Sequence, residues 1–181
     1  PAAYFWRRGF FNSAMKKRVA LITSMIGFQG FLGWYMVSSG LDDEHELIKK
    51  YNTVPRVSQY RLAAHLGAAF AIYATVLWSY FDYCKPLKLT LDSSSKDYAQ
   101  NLNIVMKYLK RFRHSVPMTT ALIFVTAMSG AFVAGMDAGL IYNEFPTMGG
   151  QIMPPLRDMF ALNPKLVNFF ENATTVQFQH R

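Results

Sequence analysis

Three long stretches of the chain contain no Asp, Glu, Lys or Arg. They run from Val19 to Leu41, from Leu62 to Phe81 and from His114 to Met136, and each is at least 20 residues long. A bilayer core about 30 Å thick is crossed by roughly 20 helical residues, because an α-helix rises about 1.5 Å per residue. The pattern therefore predicts three complete transmembrane helices and an all-α membrane protein.

Both ends of the chain have the composition of further spans. Pro1 to Trp6 is predicted to be the last turns of an earlier span, and Ala173 to Arg181 the first turns of a later one. Neither segment is long enough to cross a bilayer. The preferred interpretation is the middle of a larger polytopic helix bundle, and a three-helix protein with short interfacial ends is the alternative.

The charged residues are distributed unequally between the two ends of the spans. The basic side, residues 7–18 and 82–113, has twelve cations and three acids. The mixed side, residues 42–61 and 137–172 with Arg181, has seven cations and eight acids. Positively charged loops remain in the cytoplasm or its organellar equivalent, the matrix. This distribution explains the net charge of +8 without a nucleic acid partner.

The connections between the spans are predicted to be loops of different kinds. Residues 89–103 are a polar connector, and a short basic helix follows at 105–113. Pro117 is expected in the first turn of the third span, where its missing N–H costs little. The long stretch from Asp137 to Asn172 is either a functional loop or a spacer. The single cysteine, Cys84, excludes a disulfide framework and Cys-rich metal sites.

His65 is the first candidate ligand of a metal or a haem iron. It lies one turn inside the second span near the mixed side, and small residues on both sides of it leave a flat surface for a large planar ligand. Ionisable groups inside a span are costly and usually face a partner or a cavity. From the residues alone, a haem ligand and a histidine that hydrogen-bonds to a neighbouring helix are equal alternatives.

Two further residues lie near the same side of the membrane. His180 lies one to two turns into the last partial span, so it is predicted at a depth similar to that of His65. Arg61 precedes His65 by one helical turn on the same face, where a guanidinium suits a haem propionate. His45, in DDEHE, is predicted to be a solvated loop residue, and His114 an interfacial residue at the basic side.

Four segments of the sequence resemble the mitochondrial-type haem A synthase family: GFQGFLGWYMVSSGL, PRVSQYRLAAHLG, SGAFVAGMDAGLIYNEFPTMGG and VQFQHR. The resemblance covers nearly the whole chain, and the segments are too long and too aromatic for general membrane sequence. It implies a multi-pass protein of the mitochondrial inner membrane, built from two similar four-helix halves. The chain is then a central fragment: residues 1–136 end the first half, 137–172 connect the halves on the intermembrane-space side, and 173–181 begin the second half.

The resemblance also implies an activity and its ligands. The family oxidises a ring methyl group of haem O to a formyl, by two oxygen-dependent hydroxylations and loss of water, and so makes haem A for cytochrome c oxidase. His65 matches a histidine associated with the substrate haem, and His180 matches a ligand of a haem b cofactor. The acid of the family's Glu-x-x-x-His motif is expected before Pro1, so no catalytic residue is assigned within this chain.

The same resemblance implies binding partners, and two other functions remain as alternatives. It implies haem O, the lipid bilayer, a ferredoxin-type electron donor and haem O synthase as partners, and it leaves a homo-oligomer open. The alternative function is a diheme b-type membrane cytochrome that transfers electrons without modifying its haem. A structural membrane subunit, whose histidines only form hydrogen bonds, is a third interpretation.

The charge distribution makes a prediction about orientation. Cys84 lies at the start of the second basic-side segment and should face the matrix, because cation-rich segments are retained there. A membrane-impermeant thiol reagent added to intact mitoplasts should leave Cys84 of the full-length protein unmodified when any other cysteines are replaced by serine. Labelling should appear only after the membrane is opened. Labelling in intact mitoplasts would show that the orientation is reversed.

Overall fold

The computed structural model describes the backbone of residues 1–51, 57–84 and 96–181, and their side chains except those of 41–51, 96–105, 108 and 111. In chain order the helices are α1 (Ala2–Arg7), α2 (Ser13–Tyr51), α3 (Gln59–Tyr83), α4 (Lys96–Gly135), α5 (Leu156–Met159), α6 (Asn168–Glu171) and α7 (Ala173–His180). Two 3₁₀ turns occupy Ala138–Leu140 and Lys165–Val167. Within these ranges the remaining regular element is one isolated antiparallel bridge, which confirms the all-α class.

Three of these helices are long and apolar enough to cross a membrane. The candidate spans are Ser13–Gly40 in α2, Gln59–Tyr83 in α3 and Phe112–Gly135 in α4. Each coincides, apart from a few terminal residues, with one of the uncharged stretches. The three predicted transmembrane helices are therefore confirmed. The two terminal segments that were predicted to belong to further spans are also helical, as α1 and α7.

Two helices extend further than the sequence analysis predicts. The helix α2 continues through the acidic stretch to Tyr51, where a loop was expected, although the side chain of His45 lies outside the described residues. The helix α4 begins at Lys96, so the predicted short basic helix at 105–113 is part of one continuous helix. Both extensions lack Gly and Pro and contain good helix formers, so the helices propagate beyond the apolar segments.

Pro117 consequently lies in the interior of α4, and its predicted position in a first turn is wrong. Because proline has no N–H, it removes the hydrogen bond that the carbonyl of Arg113 would otherwise accept. Neighbouring hydroxyl groups hydrogen-bond to carbonyls of this region: Ser115 donates to Phe112 at 3.0 Å, and Thr119 donates to Ser115 at 3.1 Å. The helix remains continuous through this turn.

The three long helices pack as antiparallel neighbours, α2 on α3 and α3 on α4, and the short helix α7 packs on α4. At the basic side, the Arg18 guanidinium of α2 forms a 2.5 Å ion pair with Asp82 of α3 and lies 4.9 Å from the ring centroid of Trp78. At the mixed side, Gly135 of α4 lies directly against Gln59 of α3. These contacts set the relative depth of residues on the three spans.

The segment from Asp137 to Asn172 is a folded connection, which excludes an unstructured spacer. Met148, Pro154 and Asn168 are almost completely buried within it. The Asn168 side chain accepts a hydrogen bond from the Leu162 N–H at 2.9 Å and donates to the Leu162 carbonyl at 2.8 Å. A buried amide that is satisfied in this way holds the surrounding backbone in one conformation.

The glycines of the spans differ in what they contact. The spacing of Gly27, Gly30 and Gly33 on α2 predicts a stripe of close helix packing. An added Cβ atom at Gly33 would meet a neighbouring helix, but at Gly27 or Gly30 it would meet no described atom within 4 Å. The stripe is therefore only partly used for packing against the described residues.

Replacing Gly135 by alanine should destabilise the α3–α4 contact. The new Cβ atom would lie 2.6 Å from the Cα atom of Gln59, and backbone atoms cannot move away without shifting a helix. Overpacking of this kind costs about 1–3 kcal/mol. Denaturant unfolding of the full-length protein in micelles should show this loss for Gly135→Ala, and Gly27→Ala is the matched control. Equal unfolding midpoints would show that the two helices are not in close contact.

Candidate functional site

His65 lies on the face of α3 that packs against α2. A Cβ atom added to Gly33 would be 3.1 Å from the Cε1 atom of its imidazole. The missing side chain of Gly33 therefore leaves the space in which the ring lies. Gln29, one helical turn before Gly33, contacts the same histidine. The contact between α2 and α3 thus holds His65 beside a glycine and an amide.

The amide of Gln29 determines the hydrogen-bonding state of the His65 ring. Its nitrogen lies 3.0 Å from the His65 backbone carbonyl oxygen and 3.2 Å from the imidazole Nε2. Because a carbonyl oxygen only accepts, the amide atom beside it must be the nitrogen, which has two hydrogens to donate. The imidazole Nε2 accepts the second hydrogen. In the neutral ring the proton then lies on Nδ1.

Two buried atoms of this pair make no hydrogen bond with the described residues. They are the Gln29 Oε1 atom, which can only accept, and the His65 Nδ1 atom. An unsatisfied buried polar group typically costs about 1–3 kcal/mol, so such groups are rare in native proteins. The pair is therefore held together by an incomplete set of hydrogen bonds, which marks it as a candidate functional position.

Arg61 lies one turn before His65, at the mixed-side end of α3. The carbon of its guanidinium group is 5.4 Å from the ring centroid of Tyr35 on α2, within the range of a cation–π interaction. Arg61 and His65 therefore both contact α2, as their spacing of four residues predicts. The aromatic ring orients a planar donor group one turn from the imidazole.

His180 lies near the end of α7 and contacts α4. A Cβ atom added to Gly130 would be 3.1 Å from the His180 Cε1 atom and 3.5 Å from Nε2. The residue before this glycine, Ser129, has its hydroxyl oxygen 2.8 Å from the His180 Nδ1 atom. The same hydroxyl lies 2.8 Å from the Thr126 carbonyl oxygen and donates to it. His180 is thus also held beside a glycine and a polar side chain.

The hydroxyl of Ser129 determines the tautomer of His180. A hydroxyl has one proton, and two oxygen atoms 2.8 Å apart require that proton between them. The Ser129 oxygen therefore accepts a hydrogen bond from Nδ1–H of the imidazole. The Nε2 atom of the neutral ring keeps its lone pair, which is the form in which histidine binds a metal ion.

The two histidines lie at similar depths but in different helix contacts. His65 follows Gln59 by six residues, or about 9 Å of helix, and Gly130 precedes Gly135 by five residues, or about 7.5 Å. Gly135 contacts Gln59, so both distances start from the same level of the bundle. His180 contacts Gly130 and therefore lies at nearly the same depth as His65. One ring contacts α2 and the other contacts α4, so the arrangement provides two separate sites.

The folded connection holds α7 through hydrogen bonds from side chains to the backbone. The Gln177 amide donates to the Tyr142 carbonyl at 2.7 Å and accepts from the Tyr142 N–H at 3.2 Å. Arg181 donates to the carbonyl oxygens of Thr147 at 2.8 Å and Glu144 at 2.7 Å. These residues lie on either side of His180 in the sequence, so they restrict the position of its helix.

The start of α7 is fixed by a buried asparagine. The Asn172 Oδ1 atom accepts from the backbone N–H groups of Thr174 at 3.0 Å and Thr175 at 3.3 Å, which is an N-cap. Its amide nitrogen donates to the Asn168 Oδ1 atom at 3.0 Å. The cap therefore connects the helix that contains His180 to the interior of the preceding loop.

An apolar recess of about 300 Å³ opens beside Ser129, between α4 and the elements around α7. Aromatic side chains form much of its wall, including Phe124, Phe132 and Phe170. Binding pockets for planar apolar ligands are commonly lined in this way, with few polar groups. The recess therefore places an apolar surface next to the polar pair of Ser129 and His180.

His114, the other histidine whose side chain the structure describes, lies away from these sites. His114 precedes Gly130 by sixteen residues, about 24 Å along α4, and shares a basic surface with Lys110 and Arg113. Asp137 has a left-handed backbone with φ of 50°, and its side chain forms no capping hydrogen bond to the following 3₁₀ turn. Within the described part of the chain, no group of three or more His, Cys, Asp or Glu residues could hold a metal ion.

Two residues that contact the histidines were not identified from the sequence. Gln29 carries the one amide side chain of the first uncharged stretch, and a polar amide within a span generally needs a partner on another helix. That signal was available. Ser129 gave no comparable signal, because a serine beside Gly130 is equally well explained as a small residue for close packing.

Comparison with known proteins places the whole chain in one group. The COX15-CtaA family model, described as cytochrome oxidase assembly protein, matches residues 1–181. The chain is 48% identical over 181 residues to heme A synthase COX15 of Homo sapiens, covering 100% of this chain and 40% of the human protein. It is 40% identical over 181 residues to heme A synthase of Nitrosospira multiformis, covering 44% of that protein.

A third relative has an additional domain named in its description. The chain is 37% identical over 180 residues to a heme A synthase–mitochondrial ferredoxin fusion protein of Schizosaccharomyces pombe, covering 92% of this chain and 29% of that protein. No solved structure matches the chain. The chain thus spans about two fifths of the length of the human and bacterial relatives.

Proposed function

Because the chain belongs to the COX15-CtaA family of cytochrome oxidase assembly proteins, we propose that it is part of a haem A synthase. The whole protein would oxidise a methyl group of haem O to the formyl group of haem A. Relatives with this name at up to 48% identity support the proposal. The structural observation that carries it is the state of His180, whose Nε2 lone pair is left for a metal by the Ser129 hydrogen bond.

Haem b is the cofactor proposed for the His180 site, and the residues fit it. The imidazole is held in the ligating tautomer, Gly130 leaves room for the ring, and the neighbouring recess offers an apolar wall. When bound, haem b supplies a redox-active iron for electron transfer. Ser129 and the N-cap of α7 would hold His180 in position to bind the haem, and the resemblance implies a further histidine ligand from outside this chain.

Haem O is the substrate proposed for the His65 site. His65 would bind its iron from α3, and Arg61 would bind a propionate one turn nearer to the mixed side. A guanidinium presents a planar pair of donors that matches a carboxylate, and the Tyr35 ring already orients this group. The resemblance to the family places the catalytic acid before Pro1, so the proposal assigns that role to a preceding helix.

The proposed setting is the mitochondrial inner membrane, with the basic side in the matrix. The spans and the mitochondrial relatives support a multi-pass protein there. A ferredoxin-type protein is the proposed electron donor, and the fusion protein of Schizosaccharomyces pombe supports this choice. Haem O synthase is the proposed source of the substrate. A homo-oligomer is compatible with the exposed apolar faces of the described helices.

Replacement of each histidine should have a different effect in the full-length protein. His180→Ala should lose the resident haem b, seen as loss of the Soret band after purification. His65→Ala should keep that band but form no haem A from haem O supplied with oxygen, ferredoxin and a reductant. Haem analysis by liquid chromatography separates the substrate from the product.

His114→Ala is the control, because His114 lies about 24 Å along α4 from Gly130. It should retain both the Soret band and haem A formation. Equal haem loss in the His65 and His180 variants would contradict the assignment of one substrate site and one cofactor site. If the intact wild-type protein leaves haem O unmodified, a diheme cytochrome becomes the better interpretation.

Arg61→Lys should weaken haem O binding about tenfold, because lysine retains the charge but not the planar fork. Charge-assisted hydrogen bonds contribute about 1.5–3 kcal/mol, or roughly one to two decades in affinity. Equilibrium titration of the full-length protein measures the effect. Arg113→Lys, at the other end of the bundle, is the matched control. Unchanged affinity in Arg61→Lys would mean that Arg61 only anchors the helix at the membrane surface.

A further inference from the structure

We propose that Gln29 is a positioning residue that keeps the substrate site closed by occupying the Nε2 atom of His65 until haem O displaces its amide. This inference rests on the proposed function, because it concerns the same histidine and the same substrate. It adds a residue of α2 that neither the comparisons nor the sequence motifs assign to the site.

The hydrogen bonds of His65 leave neither ring nitrogen available to iron. The lone pair of Nε2 accepts from the Gln29 amide at 3.2 Å. The other nitrogen, Nδ1, carries the proton of the neutral ring and is buried. A neutral imidazole has only one lone pair to offer a metal. Iron binding through Nε2 therefore requires that the Gln29 amide moves away.

The His180 site shows the opposite arrangement. There the neighbouring hydroxyl of Ser129 accepts a hydrogen bond from Nδ1–H of His180. The Nε2 atom of His180 therefore keeps its lone pair. A cofactor that stays bound needs a protein side chain whose lone pair is always available to the metal. A substrate must enter and its product must leave, so a ligand covered by an exchangeable hydrogen bond is suited to that site.

The closed arrangement is also easy to open. The second hydrogen of the Gln29 amide is bound by the His65 backbone carbonyl, while its Oε1 atom has no partner among the described residues. Opening therefore breaks one hydrogen bond of the amide to the ring, and no bond of its oxygen to a described residue has to break. A ligand that binds only the open form has an apparent affinity reduced by the open fraction. Loss of one ordinary hydrogen bond corresponds to about a fivefold change.

The test measures haem O capture by the full-length protein with its resident haem in place. Haem O is mixed with protein in lipid nanodiscs, and the Soret difference signal gives the capture rate and the dissociation constant. Gln29→Leu and Gln29→Ala both remove the donor, so agreement between them excludes an effect of side-chain size. Both should capture haem O faster and bind it about fivefold more tightly than wild type.

Two controls separate this role from a structural one. Thr23→Val removes a polar group from the exposed face of the same helix and should leave capture unchanged. Gln29→Leu should also leave the Soret band of the resident haem unchanged, because Gln29 contacts His65 and not the His180 site. A structural role of Gln29 in the bundle would instead weaken that band as well.

The outcomes distinguish the two proposals. If the Gln29 variants bind haem O as wild type does, or more weakly, while His65→Ala abolishes the signal, the closing role is wrong and the substrate site stands. If His65→Ala binds haem O as wild type does, His65 is not the ligand, and both proposals fail together.

Discussion

The absence of a side chain opposite each histidine is the constraint on which the rest of the structure depends. Gly33 and Gly130 each leave a space on one helix into which an imidazole from the next helix fits, and a Cβ atom at either would lie 3.1 Å from the ring. Close approach of backbones is also how helices associate in lipid. Lipid chains are as apolar as the helix surfaces, so no hydrophobic effect drives the helices together. The same glycines that permit packing therefore determine where the polar groups lie.

Each ring then meets a polar side chain of the facing helix, and the chemical nature of that side chain gives the two histidines different properties. The Gln29 amide donates to Nε2 of His65, whereas the Ser129 hydroxyl accepts from Nδ1 of His180. A donor covers the lone pair that a metal would need, and an acceptor leaves it available. The Nε2 lone pair is therefore covered at His65 and available at His180, although the two histidines lie at similar depth near the mixed side.

The connection between α4 and α7 has a mechanical role that follows from its buried amides. Asn168 and Asn172 join the interior of the loop to the first turn of α7, and Gln177 and Arg181 hold the helix on either side of His180. The loop therefore restricts the position of the helix that contains His180.

The amino-acid sequence by itself determined the three spans, their side-to-side charge distribution and the similar depth of His65 and His180, because bilayer thickness and helix rise convert residue counts directly into distances. It did not show that α2 and α4 continue beyond the apolar stretches, since helix propagation depends on intrinsic propensity rather than on hydropathy. The distinction between the two sites was decided only by tertiary structure. Whether the Nε2 lone pair of an imidazole is covered or left available depends on the partner that another helix brings to within about 3 Å, and no spacing along one helix contains that information.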